Sequence, residues 1–473
     1  MIVHQGYRLA LDPASAQRSA LAAHMGAARF AFNWGLEQVR ASMALREFEL
    51  CMFGEVRTAP LGWSLPALRR QWNAQKDVQA PWWRENSKEA YSSGLDALAR
   101  ALRAWSDSRN GKRPGPRVCF PRFRRRGHPI GCRFTTGALR VDDERHVILP
   151  RIGRVRTSEA TTALLRRVTA GTARILSATV SCEAGRWFVA FGCEVQRQVA
   201  AGNGHDDTVG VDVGILALAT LSTGEVVPGP RALRTGLRRH RRLSRHHSRC
   251  QRGSANRRKA ARALARHHAR VANLRRDHLH KLTTRLAKSH GCIVVEDLNV
   301  SGMTRSARGS AEAPGRNVHA KAGLNRGLAD SAFGELRRQL EYKCRWHGAE
   351  LVVADRFFPS SRTCSRCGTV RANLTLGDRV FECPGCGLCL DRDLNAAINL
   401  AGWAHPDASP HPAGWAGNPI VAVSALETQN ACPRGGQPGL SPARPDDAGT
   451  GIVPEPAGAT GGRTHRPGLT PAS

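Results

Sequence analysis

Three acidic residues and four cysteines stand in contexts that suggest chemistry. Asp212 lies in the apolar, glycine-bounded run Val209-Gly-Val-Asp212-Val-Gly214. Glu296 ends the run Ile293-Val-Val-Glu296, and Asp393 stands just before Asn395-Ala-Ala-Ile-Asn-Leu400. An ionised carboxylate among apolar neighbours is costly unless it is paired or bound to metal. Three such groups meeting at strand ends would repel one another and shift their own pKa values unless divalent cations neutralised them. Two Mg²⁺ ions about 4 Å apart could then activate water and stabilise the leaving oxygen in phosphodiester hydrolysis. The plainer alternative is that each Asp forms a turn, with Asp391 or Asp393 capping the last helix.

Cys364-Ser-Arg-Cys367 and Cys383-Pro-Gly-Cys386 are separated by 15 residues, the spacing of a four-thiolate zinc site. Four thiolates leave no open position for water, so Zn²⁺ there is structural. Cys389, close by, is expected not to be a ligand. Cys51, Cys119, Cys132, Cys182, Cys193, Cys250, Cys292, Cys344 and Cys432 read as buried or incidental thiols.

These groups sit in a 473-residue chain of net charge +33, long enough for two or more domains. A field of that sign concentrates polyanions, nucleic acid first and an anionic membrane second. No apolar run is long enough to span a bilayer, and Met1-Ile-Val-His-Gln-Gly does not read as a signal peptide. A cytoplasmic, nucleoid-associated protein without membrane contact is the expectation. Residues 231–290 carry 20 Lys or Arg against one acid, Asp277. A thin apolar stripe inside them, Leu264, Val271, Leu274, Leu282 and Leu286, predicts helices docked on one side with the other facing phosphates. Phe120-Pro-Arg-Phe-Arg-Arg-Arg126 mixes aromatic and cationic groups in a way that suits base stacking, although its phenylalanines fit a core equally well.

The elements that position these residues follow from periodicity. Residues from about 14 to 110 read as helical, with segments at Ala14–Leu21 and Ala27–Leu36 and a Ser87-opened helix whose stripe is Tyr91, Leu95, Leu98 and Leu102. From about 118 to 200 the pattern turns to short strands, Val147–Leu149, Ile175–Val180 and Arg186–Phe191, with Tyr7–Leu11 as a candidate first strand of the same barrel or sheet. After a polar linker at Gly202, strands are expected at 209–214, Leu216–Leu221 and Cys292–Glu296. Beyond Gly402, 23 of 71 residues are Pro or Gly, which predicts a disordered tail.

Gly210-Val-Asp212-Val-Gly214, Val294-Val-Glu296-Asp-Leu-Asn299 and Asp391-Arg-Asp393-Leu-Asn395-Ala-Ala resemble the three RuvC-type motifs of TnpB (OrfB) proteins, which insertion sequences encode and which are similar to type V CRISPR effectors. Phe333–Lys343, Asp355–Cys364, Ala28–Trp34 and Phe120–Phe123 extend the likeness. The resemblance implies an α/β multidomain chain: a small wedge-like β-barrel at 1–12 and 117–200, interrupted by a helix-turn-helix-like insert at 13–116. An RNase H-like (RuvC) nuclease domain would follow at 205–362 and 391–402, with a zinc ribbon inserted at 363–390 and a disordered tail at 403–473. It implies an RNA-guided, Mg²⁺-dependent DNA endonuclease with Asp212, Glu296 and Asp393 as metal ligands and Cys364, Cys367, Cys383 and Cys386 on zinc. The implied partners are a guide RNA from the transposon end and double-stranded target DNA. Strand transfer by a transposase and a catalytically silent DNA-binding regulator are the alternatives.

Overall fold

The computed structural model describes residues 1–125, 131–198, 205–375 and 377–404. Strand β1 (Ile2–Leu11) leads past Pro13 into α1 (Ser15–Phe53), followed by α2 (Leu65–Gln79) and α3 (Lys88–Arg109). The two N-terminal helical segments read from the sequence are one helix. Its Gly35 is no break, because a Cβ there would lie 2.8 Å from Leu98 Cδ2 of α3. Closer still, a Cβ on Gly94 would lie 2.0 Å from the Ala28 carbonyl, so α1 and α3 meet backbone to backbone. Gly54, at φ 71°, ends α1. Ser87 caps α3 by accepting from the Glu89 amide, and Tyr91, Leu95, Leu98 and Leu102 are all buried.

Next come β2 (Cys132–Phe134), β3 (Arg140–Val141), β4 (His146–Leu149), β5 (Gly153–Arg156), α4 (Thr162–Thr169), β6 (Ala173–Glu183) and β7 (Arg186–Gln196). The order β1-β7-β6-β2 forms an antiparallel sheet, in which β1 pairs with β7 over ten residues across the whole helical segment. A second sheet, β3-β4-β5, joins it through a bridge between Leu11 and Thr157, and the two share one core with the helices. The strand pattern allows a barrel or an open sheet, and the family resemblance implies a barrel. The hydrogen bonding among the described residues gives two open sheets instead, because β2 and β3 are only three and two residues long and cannot carry a continuous ladder around a ring.

The second half holds β8 (Thr208–Asp212), β9 (Ala219–Leu221), β10 (Val226–Val227), α5 (Ala232–Arg249), α6 (Ala255–Ser289), β11 (Cys292–Glu296), α7 (Val300–Met303), α8 (Val318–Ser331), α9 (Phe333–His347) and β12 (Glu350–Ala354). The hairpin β13 (Val380–Glu382) and β14 (Cys389–Asp391) leads into α10 (Arg392–Trp403). The sheet order is β10-β9-β8-β11-β12, with β8, β11 and β12 parallel and β9 and β10 antiparallel. Parallel neighbours require long crossovers, and α5–α6 and α7–α9 supply them. Strand alternation then sorts the faces. Val209, Val211, Ile293 and Val295 share a core with Leu282 and Leu286 of α6 and Leu336 and Leu340 of α9. Val294 faces the other way, against Leu400 of α10 and Phe358.

Three expectations need correction. The strand expected at Leu216–Leu221 is only β9, since Leu216 is exposed in the loop that precedes it. Leu274 is 48% exposed: the buried seats on α6 include His267, Val271, Leu279, Thr283 and Leu286. Between Val271 and Leu279 the four-residue rhythm falls on Arg275, which turns Leu274 outward. Helix α10 runs past Gly402, and Trp403 packs on Phe358 with ring centroids 4.7 Å apart. The rest of the expected tail, 405–473 with Cys432, lies outside the described residues, as do Arg126 and the linker glycines 202 and 204.

Candidate active site and metal centre

Register brings the carboxylates together. In the β8–β11 ladder Val294 pairs with Gly210 and Val295 with Val211, so Asp212 and Glu296 end neighbouring parallel strands, side by side. Two-residue alternation puts them on the Gly210/Val294 face, the face that α10 covers. Asp393 is in the first turn of α10. Gly210 allows the approach: a Cβ there would lie 1.9 Å from the Ala397 carbonyl and 2.5 Å from the Ala401 nitrogen. All three carboxylates are partly buried. Burial first, then the charges of Glu296 and Asp393, raises the Asp212 pKa well above the ordinary carboxylate range, while Arg392 pulls the other way.

Sequence reasoning missed the polar groups around them. Ser360 donates a 2.7 Å hydrogen bond to Glu296, and Arg392 lies 3.1 Å from Asp393. Asp391 accepts from the amides of Asp393 and Leu394, both at 3.0 Å, which makes it the N-cap of α10. Asp297 is taken by Arg337 and Arg356, and the hydrogen bond from Arg337 heads the causes that hold its carboxyl below the usual range. A serine four residues before the first knuckle carries no sequence signal of its own; only the fold turns it toward Glu296.

The four cysteines converge. The sulfurs of Cys364, Cys367, Cys383 and Cys386 all lie within 4.8 Å of one another, and among the described residues they form the group of His, Cys, Asp and Glu gathered so closely. Each Cys-x-x-Cys-Gly knuckle closes alike: Gly368 and Gly387 stand at φ 75° and 68° and donate to the carbonyls of Cys364 and Cys383. That left-handed turn favours glycine. The amides of Arg366 and Gly385 point at the sulfurs of Cys364 and Cys383, each at 3.4 Å. The Thr369 side chain draws the Cys367 thiol down to about 6, toward the thiolate a metal takes. Cys389 is exposed on β14 and outside the cluster.

Asparagines weld this module to the carboxylate helix. Buried Asn395 donates to the Thr363 carbonyl at 2.7 Å and accepts from the Ser365 amide at 3.0 Å. Asn399, one turn on, donates to the carbonyls of Ser360 and Thr363, both at 2.7 Å. The first knuckle, the serine on Glu296 and the helix bearing Asp393 are therefore tied through two side chains. Their i, i+4 spacing is the signal that could have revealed the shared face.

Basic surface is spread over two places. Ala232 is the only buried residue of α5, whereas α6 seats one side on the core, so most of the arginines of the hairpin face solvent. In the tract Phe120–Arg125, Phe120 packs edge-on against Trp105 at 4.9 Å, while Phe123 is 46% exposed with the Arg40 guanidinium 5.1 Å from its ring. Asn33 holds the tract by hydrogen bonds to both the amide and the carbonyl of Arg124.

Three family models match: a helix-turn-helix domain over residues 1–46, "Probable transposase" over 190–307 and "Cas12f1-like, TNB domain" over 333–400. The second spans Asp212 and Glu296, and the third spans the four cysteines and Asp393. A Mycobacterium tuberculosis (H37Rv) protein named "Putative RNA-guided DNA endonuclease" is 42% identical over 430 residues, covering 87% of this chain and 88% of its own. InsQ of Escherichia coli K12, named in the same words, is 31% identical over 403 residues, covering 85% and 92%. A cryo-EM structure of a Cas12f1–sgRNA–target DNA complex aligns with a TM-score of 0.46 at 14% identity, over 85% of this chain and 99% of that one. The 42% and 31% identities to those two relatives, over most of both chains, settle the relationship: the chain belongs to the TnpB (OrfB) family.

Proposed function

We propose that the chain is an RNA-guided DNA endonuclease encoded by a transposable element, and that it hydrolyses phosphodiester bonds at Asp212, Glu296 and Asp393. The observation that carries this reading is the ladder register, which sets Asp212 beside Glu296 on the face covered by the helix bearing Asp393. The names of the relatives support the choice of RNA-guided DNA cleavage over other phosphodiester chemistry.

The residues fit the metals this reading implies. Asp212 sits where burial and two neighbouring carboxylates disfavour its charge, an arrangement a cation relieves. Magnesium held by the three carboxylates would supply water activation and stabilisation of the leaving oxygen. Asp391 is engaged as a helix cap, which supports Asp393 as the third ligand. Ser360 orients Glu296, and Arg392 offsets the charge of Asp393. Zinc suits the four thiolates and would be structural. The two sheets with their helical insert would hold the guide and read the sequence beside the target, and the α5–α6 hairpin would track phosphates.

The test is retargeting. Purified full-length chain with its co-purifying RNA should cut duplex DNA matching that RNA, and changing the guide portion should move the cut. Cutting that ignores the RNA sequence contradicts the reading. Joining of DNA ends in place of cutting supports strand transfer, and sequence-specific binding without cutting supports a regulator.

A further inference from the structure

We infer that Arg167 and Arg197 form a discrete phosphate-binding pocket at the seam between the N-terminal sheet and α9, separate from the basic α5–α6 hairpin. The inference rests on the nucleic-acid reading above for one of two possible occupants, a phosphate of a nucleic-acid strand; the other is a free phosphate or pyrophosphate.

A cavity of about 650 Å³ opens where β1 begins, β7 ends and α4 runs into β6, and Arg167, Thr172, Gln196 and Arg197 line it. Met1 and Ile2 also line it beside these polar groups, the mix of apolar wall and a few polar groups that a small-ligand site offers. Arg197 is the organising residue. Its guanidinium lies 4.2 Å from the ring centroid of Trp346 on α9, and one terminal nitrogen donates to Gln5 Oε1 at 2.9 Å. Those contacts hold the planar fork in place, while its Nε is buried with no hydrogen-bond partner among the described residues. The hydroxyl of Tyr7, next to it, is also buried and unpartnered. A buried donor without a partner is costly, and a held guanidinium suits bidentate phosphate binding.

The electrostatics agree. Burial, then the charge of Arg167, disfavours the charge of Arg197, and among the described residues no carboxylate is named as acting on it. An anion in the cavity would offset the repulsion between the two arginines. Arg166 makes the comparison possible: it is adjacent in sequence and equally charged, but exposed and not part of the lining.

The experiment uses the full chain as wild type and as Arg166→Gln, Arg167→Gln, Arg197→Gln and Arg197→Lys. Thermal melts with added sodium pyrophosphate are read beside the affinity for a labelled single-stranded RNA across a salt series. Wild type and Arg166→Gln should both gain stability from pyrophosphate; Arg167→Gln and Arg197→Gln should not. Arg197→Lys, which keeps the charge and loses the fork, should fall between them, and it carries the test with Arg167→Gln if Arg197→Gln does not fold. If the occupant is a nucleic-acid phosphate, the two Gln variants also bind RNA about tenfold more weakly, with a salt slope lower by about one. Loss of the pyrophosphate effect with RNA affinity unchanged assigns the pocket to free phosphate. Equal behaviour of Arg166→Gln and the two pocket variants in both readouts overturns the pocket, since a diffuse field would not tell them apart. A wild-type chain that binds no RNA contradicts the nuclease reading, and the pyrophosphate melts still decide the pocket.

Discussion

Gly210→Ala tests whether the geometry of the site depends on one missing methyl group. The added Cβ would lie 1.9 Å from the Ala397 carbonyl and 2.5 Å from the Ala401 nitrogen, whereas ordinary contact begins at 3.4 Å. Both obstacles are backbone of α10, so no side chain can swing aside. The helix has to retreat by about 1.5 Å, the shortfall against the Ala397 carbonyl. Asp393 lies one turn before Ala397 on the same helix and moves with it. A misplacement of about 1 Å can cost a catalytic site roughly 10²-fold in rate, and overpacking costs about 1–3 kcal/mol in stability. The assay is single-turnover DNA cleavage at saturating RNA and Mg²⁺, normalised to folded protein by a parallel melt. Gly94→Ala is the control: its Cβ would lie 2.0 Å from the Ala28 carbonyl, a comparable clash in the separate core of α1 and α3. It should lower the melting temperature and leave the rate per folded molecule near wild type. A Gly210→Ala chain that cleaves as wild type does would refute the claim that α10, seated on β8, sets the carboxylate geometry.

Other predictions follow from the same contacts. Asp212→Asn should raise the melting temperature of the metal-free chain at neutral pH. A carboxyl whose folded pKa is raised binds more protons folded than unfolded above its ordinary value near 3.8. Its contribution therefore falls as pH rises through that window, and the gain should vanish below about pH 4 and shrink when Mg²⁺ is added to both proteins. Asp391→Ala should cost about 1 kcal/mol through the lost cap and keep measurable cleavage, while Asp393→Ala abolishes cleavage; the reverse pattern means that the wrong aspartate was assigned. Asn395→Ala removes one buried and one partly buried hydrogen bond and leaves groups unsatisfied at about 1–3 kcal/mol each. Zinc release to a chelator, followed spectroscopically, should accelerate; an unchanged release rate denies the weld between the knuckle and α10.

Local signals were the legible ones. Cys292–Glu296 is the strand that its apolar run implies, and the stripe of α3 is the buried one, because period and capping act within a few residues. The cysteine cluster was legible for the same reason, since each knuckle needs only its own glycine turn. What stayed hidden depends on partners distant in sequence. Nothing local marks Ser360 as the donor to Glu296, 64 residues away, or Arg275 as the residue displacing Leu274 from the core side of α6. The glycine at 210 was visible as a break in an apolar run, but its reason, a helix nearly 190 residues later, emerges only from the packing. The phenylalanines of the basic tract could not be told apart until Trp105 claimed Phe120 and left Phe123 exposed.

The central claim, that Asp212, Glu296 and Asp393 form one metal-dependent nuclease site, is tested most directly by Mg²⁺ titrations of DNA cleavage by the RNA-loaded chain and its three single alanine variants. The account predicts cleavage by wild type only with divalent metal, and cleavage at background in each variant, with RNA binding intact and Asp212→Ala melting no lower than wild type. Cleavage at the wild-type rate by Asp212→Ala, or by wild type in excess chelator, would contradict it.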